Sequence, residues 1–222
     1  MKYSFYISLT FIMLLFGVKN SQAQNFKGRK SIGLHLFTTQ YNANDNSTYT
    51  THTNSQGIGV NAGYFLTNDW RVGVAFGFNG SVNDFTAQTN KLRGWNWRTF
   101  ATNYRWFSKN MAFFIEPSFT YANTTIENEQ SLTNTTGTRR EGIIAYELDT
   151  RLGFLYTINQ RFGIDLSFQL MRIGYNISDI TGSTTTNGEI ETINEKRSST
   201  YFDLTRSIGG IQSLSLGFTY FF

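Results

Sequence analysis

The chain of 222 residues has no cysteine, one proline and a charged fraction of only 15%. The lack of cysteine excludes a disulfide scaffold, a thiolate metal site and a lipid-modified cysteine anchor. Past residue 20 no apolar run approaches the ~18 residues that a membrane helix needs. Mean hydropathy is negative. Yet 21 Phe, 12 Tyr and 4 Trp make a heavy aromatic load for so little charge, and Gly reaches 20. An aromatic- and glycine-rich chain, poor in proline and free of hydrophobic blocks, points to extended, alternating strands.

Residues 1–23 read as a secretory leader, an address rather than part of the fold. Lys2 gives the positive start, residues 7–18 (ISLTFIMLLFGV) the apolar stretch, and Ser21-Gln22-Ala23 the small residues before a cut at Gln24. The apolar stretch is too short to span a bilayer. Residues 24–29 then form a short periplasmic segment ahead of a single domain, 30–222. Loss of the leader removes Lys2 and Lys19 and halves the formal charge of +4. Export and so small a basic excess both argue against nucleic acid.

From residue 30 the dominant period is two, which sends successive side chains to opposite faces of a sheet. Eight segments alternate in this way: 30–40, 55–66, 70–78, 94–107, 111–121, 143–157, 161–173 and 210–222. In the third, Trp70, Val72, Val74, Phe76 and Phe78 oppose Arg71, Gly73, Ala75 and Gly77. In the fourth, Phe100, Tyr104 and Trp106 are set against Ala101, Asn103 and Arg105. One face is thus large, apolar and nearly uncharged. The other is small or charged, and holds Arg71, Arg105, Glu116, Glu147, Asp149, Arg151 and Asp165.

In a soluble barrel the apolar face would line a cavity and the charged face would meet water; in a membrane barrel the faces are exchanged. Tiny residues and charges of both signs suit a crowded interior better than a solvated exterior. The connections agree. Thr67-Asn68-Asp69, Ser108-Lys109-Asn110 and Ile158-Asn159-Gln160 are short, whereas 41–54, 79–93, 122–142 and 174–209 are long and polar. Strict alternation of long and short is the habit of membrane barrels, with turns periplasmic and loops extracellular. Spans of roughly nine to eleven tilted residues leave room for eight strands and not for sixteen. The expected fold is all-β: an eight-stranded antiparallel transmembrane up-and-down barrel in a bacterial outer membrane. Trp70, Trp106, Phe113, Tyr156, Phe162 and Phe222, near the turn side, are expected in its interfacial girdle.

Leu214, Leu216, Phe218, Tyr220 and Phe222 occupy alternate positions up to a terminal aromatic. This pattern resembles the C-terminal signal that outer-membrane barrels present to their assembly machinery. GYFLTNDWRVG, residues 63–73, is similar to the strand-turn-strand of the porin-like and OmpX/OmpA-type eight-stranded families, and FFIEPSFTY and GFTYFF resemble their Bacteroidota-type members. The resemblance implies the fold, the outer-membrane location, and contacts with outer-membrane lipid, lipopolysaccharide and the assembly machinery. It implies no activity, and the peptidoglycan-binding domain of OmpA-type proteins is not expected here.

Candidate chemistry is sparse. His35 falls on the lumen face and His52 in the first polar stretch, with no spacing that marks a nucleophile or a ligand set. Neither catalysis nor a metal or cofactor is expected. The inward charges allow an aqueous path or a plug of salt bridges, since eight strands leave an interior just wide enough for side chains. Balanced signs favour the plug. Gly57-Ile58-Gly59 lies within a strand and opens no helix, so it is no phosphate loop. The Asn46-Ser47-Thr48 sequon is discounted in a bacterial chain. Thr/Asn/Ser stretches at 123–125, 134–136 and 183–187 either keep the loops solvated, the favoured reading, or offer hydrogen bonds to an extracellular ligand such as a sugar. The reading is a structural or surface-interaction barrel without enzymatic activity. A narrow porin-like channel is the alternative, with a lipid-modifying enzyme behind it.

Overall fold

Among the described residues nine antiparallel segments make one sheet: β1 (Lys30–Asn44), β2 (Thr50–Phe65), β3 (Trp70–Phe85), β4 (Gln88–Trp106), β5 (Met111–Leu132), β6 (Thr135–Thr157), β7 (Phe162–Thr186), β8 (Glu189–Leu204) and β9 (Ser213–Phe221). The computed structural model describes residues 25–44, 50–85, 88–132, 135–186, 189–204 and 213–222; the leader and the Asn46-Ser47-Thr48 sequon lie outside them. Pairing follows chain order from β1 to β7, and β9 pairs with both β7 and β1 to close the ring. β8 and β9 lie end to end along the same flank of β7. Leu204 pairs with Met171, and Leu214 with Phe168. Two segments thus fill the eighth wall position, and the barrel is eight-stranded as the alternation predicts.

Side-chain oxygens and backbone carbonyls tie the short turns. Thr67 Oγ1 accepts from the amides of Asp69 and Trp70, and Asn159 Oδ1 from those of Arg161 and Phe162. The long connections differ from expectation. Most of 79–93, 122–142 and 174–209 is strand, so β5, β6 and β7 run for 22, 23 and 25 residues. Outside the membrane both faces of a ladder are wet. A polar, threonine-rich segment can therefore prolong a strand without showing any apolar alternation.

Ile32, Leu34, Val60, Val74, Leu166, Phe168 and Leu216 point outward and are exposed. The belt they form is bordered on the turn side by Trp70, Tyr156, Phe162 and Phe222, and on the other by Trp95, Trp97, Tyr146 and Tyr175. The single proline, Pro117, also faces outward. Beside it the β4–β5 ladder is interrupted between Phe100–Ser118 and Asn103–Ile115, where a proline has no N–H to give. Inside, large rings lie over residues without side chains: a Cβ on Gly153 would collide with the Phe114 ring. The faces predict a sharp contrast. Leu166→Arg should destabilise the barrel by roughly 2–4 kcal/mol, while Ser167→Ala, one residue away in the lumen, should be nearly silent in urea unfolding from vesicles. Equal tolerance would mean that Leu166 does not face lipid.

Candidate functional site

The lumen is built in layers, and the first is an aromatic floor at the turn end. Residues 25–30 fold beneath the barrel. The amides of Phe26 and Lys27 donate to Asn68 Oδ1 at 3.0 and 2.9 Å, and that of Gly28 donates to the Phe65 carbonyl at 2.9 Å. Gly28 takes φ +82°, where a Cβ is disfavoured, and so lets the chain reverse. The reversal drives Phe26 up into the barrel, where it is 0% exposed. Phe65 and Trp106 stack on it at 5.1 and 5.2 Å, and Phe221 meets it edge-on at 5.0 Å. Tyr104, Ala112, Phe114 and Leu155 complete the cluster, which draws on five strands. The Trp106 indole N–H donates to the Asn68 carbonyl at 3.2 Å.

A charged layer sits on this floor. Phe100 is flanked by Arg71 and Arg98, whose guanidinium carbons lie 5.0 and 5.3 Å from its ring centre. Arg98 pairs with Glu116 at 3.0 Å, and the Thr102 hydroxyl donates to the same carboxylate at 2.7 Å. Arg151 lies 3.5 Å from Asp149, which also accepts from Thr120 at 3.0 Å. Arg71 donates to Asn61 Oδ1, and the Asn61 amide meets His35 Nε2. With Nε2 accepting, the ring proton is on Nδ1, facing Asp165 at 3.8 Å. Further out, Arg172 lies 3.5 Å from Glu147 and 3.9 Å from Asp203, and the Tyr201 hydroxyl donates to Glu147.

Six of the seven expected lumen charges therefore point inward: Arg71, Glu116, Glu147, Asp149, Arg151 and Asp165. Arg105 does not. It is exposed on the outer face of β4, near the turn side. Trp106, expected in the girdle, is 3% exposed inside the floor. Both corrections have one cause. The lower half of β4 turns its aromatics inward to build the floor, so Phe100, Tyr104 and Trp106 fill the lumen and Thr99, Ala101 and Arg105 face out. The order Trp95-Asn96-Trp97-Arg98 carries that phase, because outward tryptophans put Arg98 inside. Arg98, Arg172 and Asp203 are the charges of this layer that sequence reading misses. Arg172 is hidden by a β7 bulge: the register with β6 steps from Gln169 to Met171 without Leu170, which restores Arg172 to the inner face.

The charged layer borders a lumen cavity of about 970 Å³, with Phe37, Asn79, Asn96, Asn176, Tyr201 and Ser215 also in its lining. His52 pairs through its backbone with Asn42 near the top of β2. Leu214, Leu216, Phe218, Tyr220 and Phe222 share the outer face of the closing strand and its end.

No protein-family model and no curated protein matches the sequence. Among solved structures, the outer membrane protein OprG from Pseudomonas aeruginosa is similar over 91% of this chain and 99% of its own, at 13% identity and a TM-score of 0.50. Neisserial surface protein A is similar over 88% of this chain and 98% of its own, at 13% identity and a TM-score of 0.49. For Ail of Yersinia pestis the shares are 88% and 99%, with 12% identity and a TM-score of 0.46. Likeness at such identities speaks of fold. The likeness to OprG, together with the lipid-facing belt and the closed ring, defines the class by fold: a small, multi-pass outer-membrane β-barrel. Within that class the wall has eight positions, closed by the pairing of β9 with β1 and β7.

Proposed function

We propose that the protein is a closed, membrane-anchored surface barrel of structural or surface-interaction type that conducts no solute. The observation that carries this reading is Phe26, seated without exposure in the centre of the floor. The ion pairs above it form a second seal. Beyond the membrane the long hairpins are cross-braced by Lys91–Glu129 at 3.4 Å, Lys196–Asp179 at 3.5 Å and Arg140–Glu127 at 3.9 Å. Exposed pairs add little stability each. Their use here is to keep a tall polar wall in one shape for an extracellular ligand. Lipid and lipopolysaccharide are the surroundings this reading gives to the belt and its outer rim. The apolar face of β9, ending at Phe222, would be read by the assembly machinery. No enzymatic role is proposed, since His35 is held between Asn61 and Asp165 within the lumen filling.

In planar bilayers the purified barrel should show no stable channel. Long-lived open steps of high conductance would establish a pore and overturn the closed reading. Orientation has its own test, helped by the absence of native cysteine. Glu191→Cys should react with a membrane-impermeant maleimide on intact cells, and Gln160→Cys only after lysis. The opposite result would invert the barrel.

A further inference from the structure

We propose that the lumen cavity is a binding site for a neutral oligosaccharide. The inference rests on the closed-floor reading, which makes the cavity blind rather than a passage. Its volume of about 970 Å³ suits a ligand of several rings, since small-molecule sites span roughly 300–1,000 Å³.

Charge argues against an ion as the occupant. The five arginines that line the cavity each have a carboxylate at hand: Arg98 with Glu116, Arg139 with Glu141, Arg151 with Asp149, Arg172 with Glu147 and Arg197 with Glu195. An anion entering here would compete with partners already in place. An apolar ligand would strip water from amides and hydroxyls and return nothing.

The remaining chemistry fits vicinal hydroxyls. Asn79, Asn96 and Asn176 each offer a donor and an acceptor on one planar amide, the pairing that adjacent sugar hydroxyls require. Two buried amide or hydroxyl oxygens of the lining, Asn176 Oδ1 and Ser215 Oγ, bond to no protein atom, and Ser215 is 5% exposed. Phe37 spreads over Gly57, Gly59 and Gly77, which have no side chains to lift it, and its ring lines the cavity. A flat ring beside unspent amides and hydroxyls gives a sugar a surface for its C–H face and partners for its rim.

The test is calorimetric titration of the full barrel in lauryldimethylamine oxide, a detergent without a sugar headgroup. The probes are maltotriose, cellotriose, triacetylchitotriose and, as the charged comparator, trigalacturonate. At least one neutral trisaccharide should bind, at least tenfold more tightly than trigalacturonate. Phe37→Ala and Asn176→Leu should each weaken it tenfold or more with the melting temperature retained. If either variant fails to fold, saturation-transfer NMR on the unaltered barrel should place the sugar's C–H protons against an aromatic ring. No binding by any of the three neutral sugars, tighter binding of the acid, or equal binding by both variants would overturn the proposal. A barrel that conducts and still binds would defeat the closed reading alone; a silent barrel that binds no sugar would defeat this one alone.

Discussion

Phe26→Ala is expected to lower the stability of the barrel by about 3–5 kcal/mol, the cost of emptying an aromatic site in a packed cluster. Phe26 is surrounded by Phe65, Trp106 and Phe221 at ring separations of 5.0–5.2 Å, so little can move to fill the space. Urea unfolding in vesicles should show the loss as a lower midpoint. Phe26→Leu should lose less, since it keeps part of the volume. An unchanged midpoint for the alanine variant would mean that the segment before β1 is not seated in the lumen. Conductance tests the two proposed seals separately. The single variant keeps the Arg98–Glu116 layer and should stay silent, whereas Phe26→Ala combined with Arg98→Ala should leak.

Arg98→Ala alone should cost roughly 3–5 kcal/mol, because it leaves a buried carboxylate without its cation. The side chains of Arg98 and Glu116 are 7% and 10% exposed, so water screens the pair little. Adding Glu116→Gln should return part of the loss, with the Gln carbonyl still able to accept from the Thr102 hydroxyl. A double-mutant cycle reads that coupling directly. Strict additivity would show that the two do not interact. Arg105→Ala is the control. It removes an exposed side chain at the turn-side rim and should leave the unfolding midpoint close to that of the unaltered protein.

The contrast between Arg98 and Arg105 shows how far the sequence alone carries. Period two identified eight of the nine strands, the short turns and most of the faces, because burial in lipid on one side imposes a strict polarity, but it missed β8 within 174–209. That polarity fails where the lumen itself is apolar. In β4 the aromatics move from the outer set, Trp95 and Trp97, to the inner set, Phe100, Tyr104 and Trp106, with no break in the alternation. Six inward charges were legible from the alternation, and their balance of signs is what the proposed plug rests on. The floor beneath it was not, since Phe26 lies ahead of the first alternating segment and has no periodic partner. Arg172 escaped because one bulge changes the phase of everything after it. The lengths of β5, β6 and β7 escaped because a ladder in water needs no apolar face.

The floor also fixes an order of events. Phe26 and Phe221 touch from opposite ends of the sequence, and between them stand Phe65, Trp106, Phe114 and Leu155 from separate strands. Contacts that distant close late, after the loop entropy of the intervening chain has been lost. The stopper cannot be complete before β9 has taken its place between β7 and β1. On the proposed closed reading, a folding molecule therefore passes through the membrane stage with its lower end open, and it closes only when its last strand arrives.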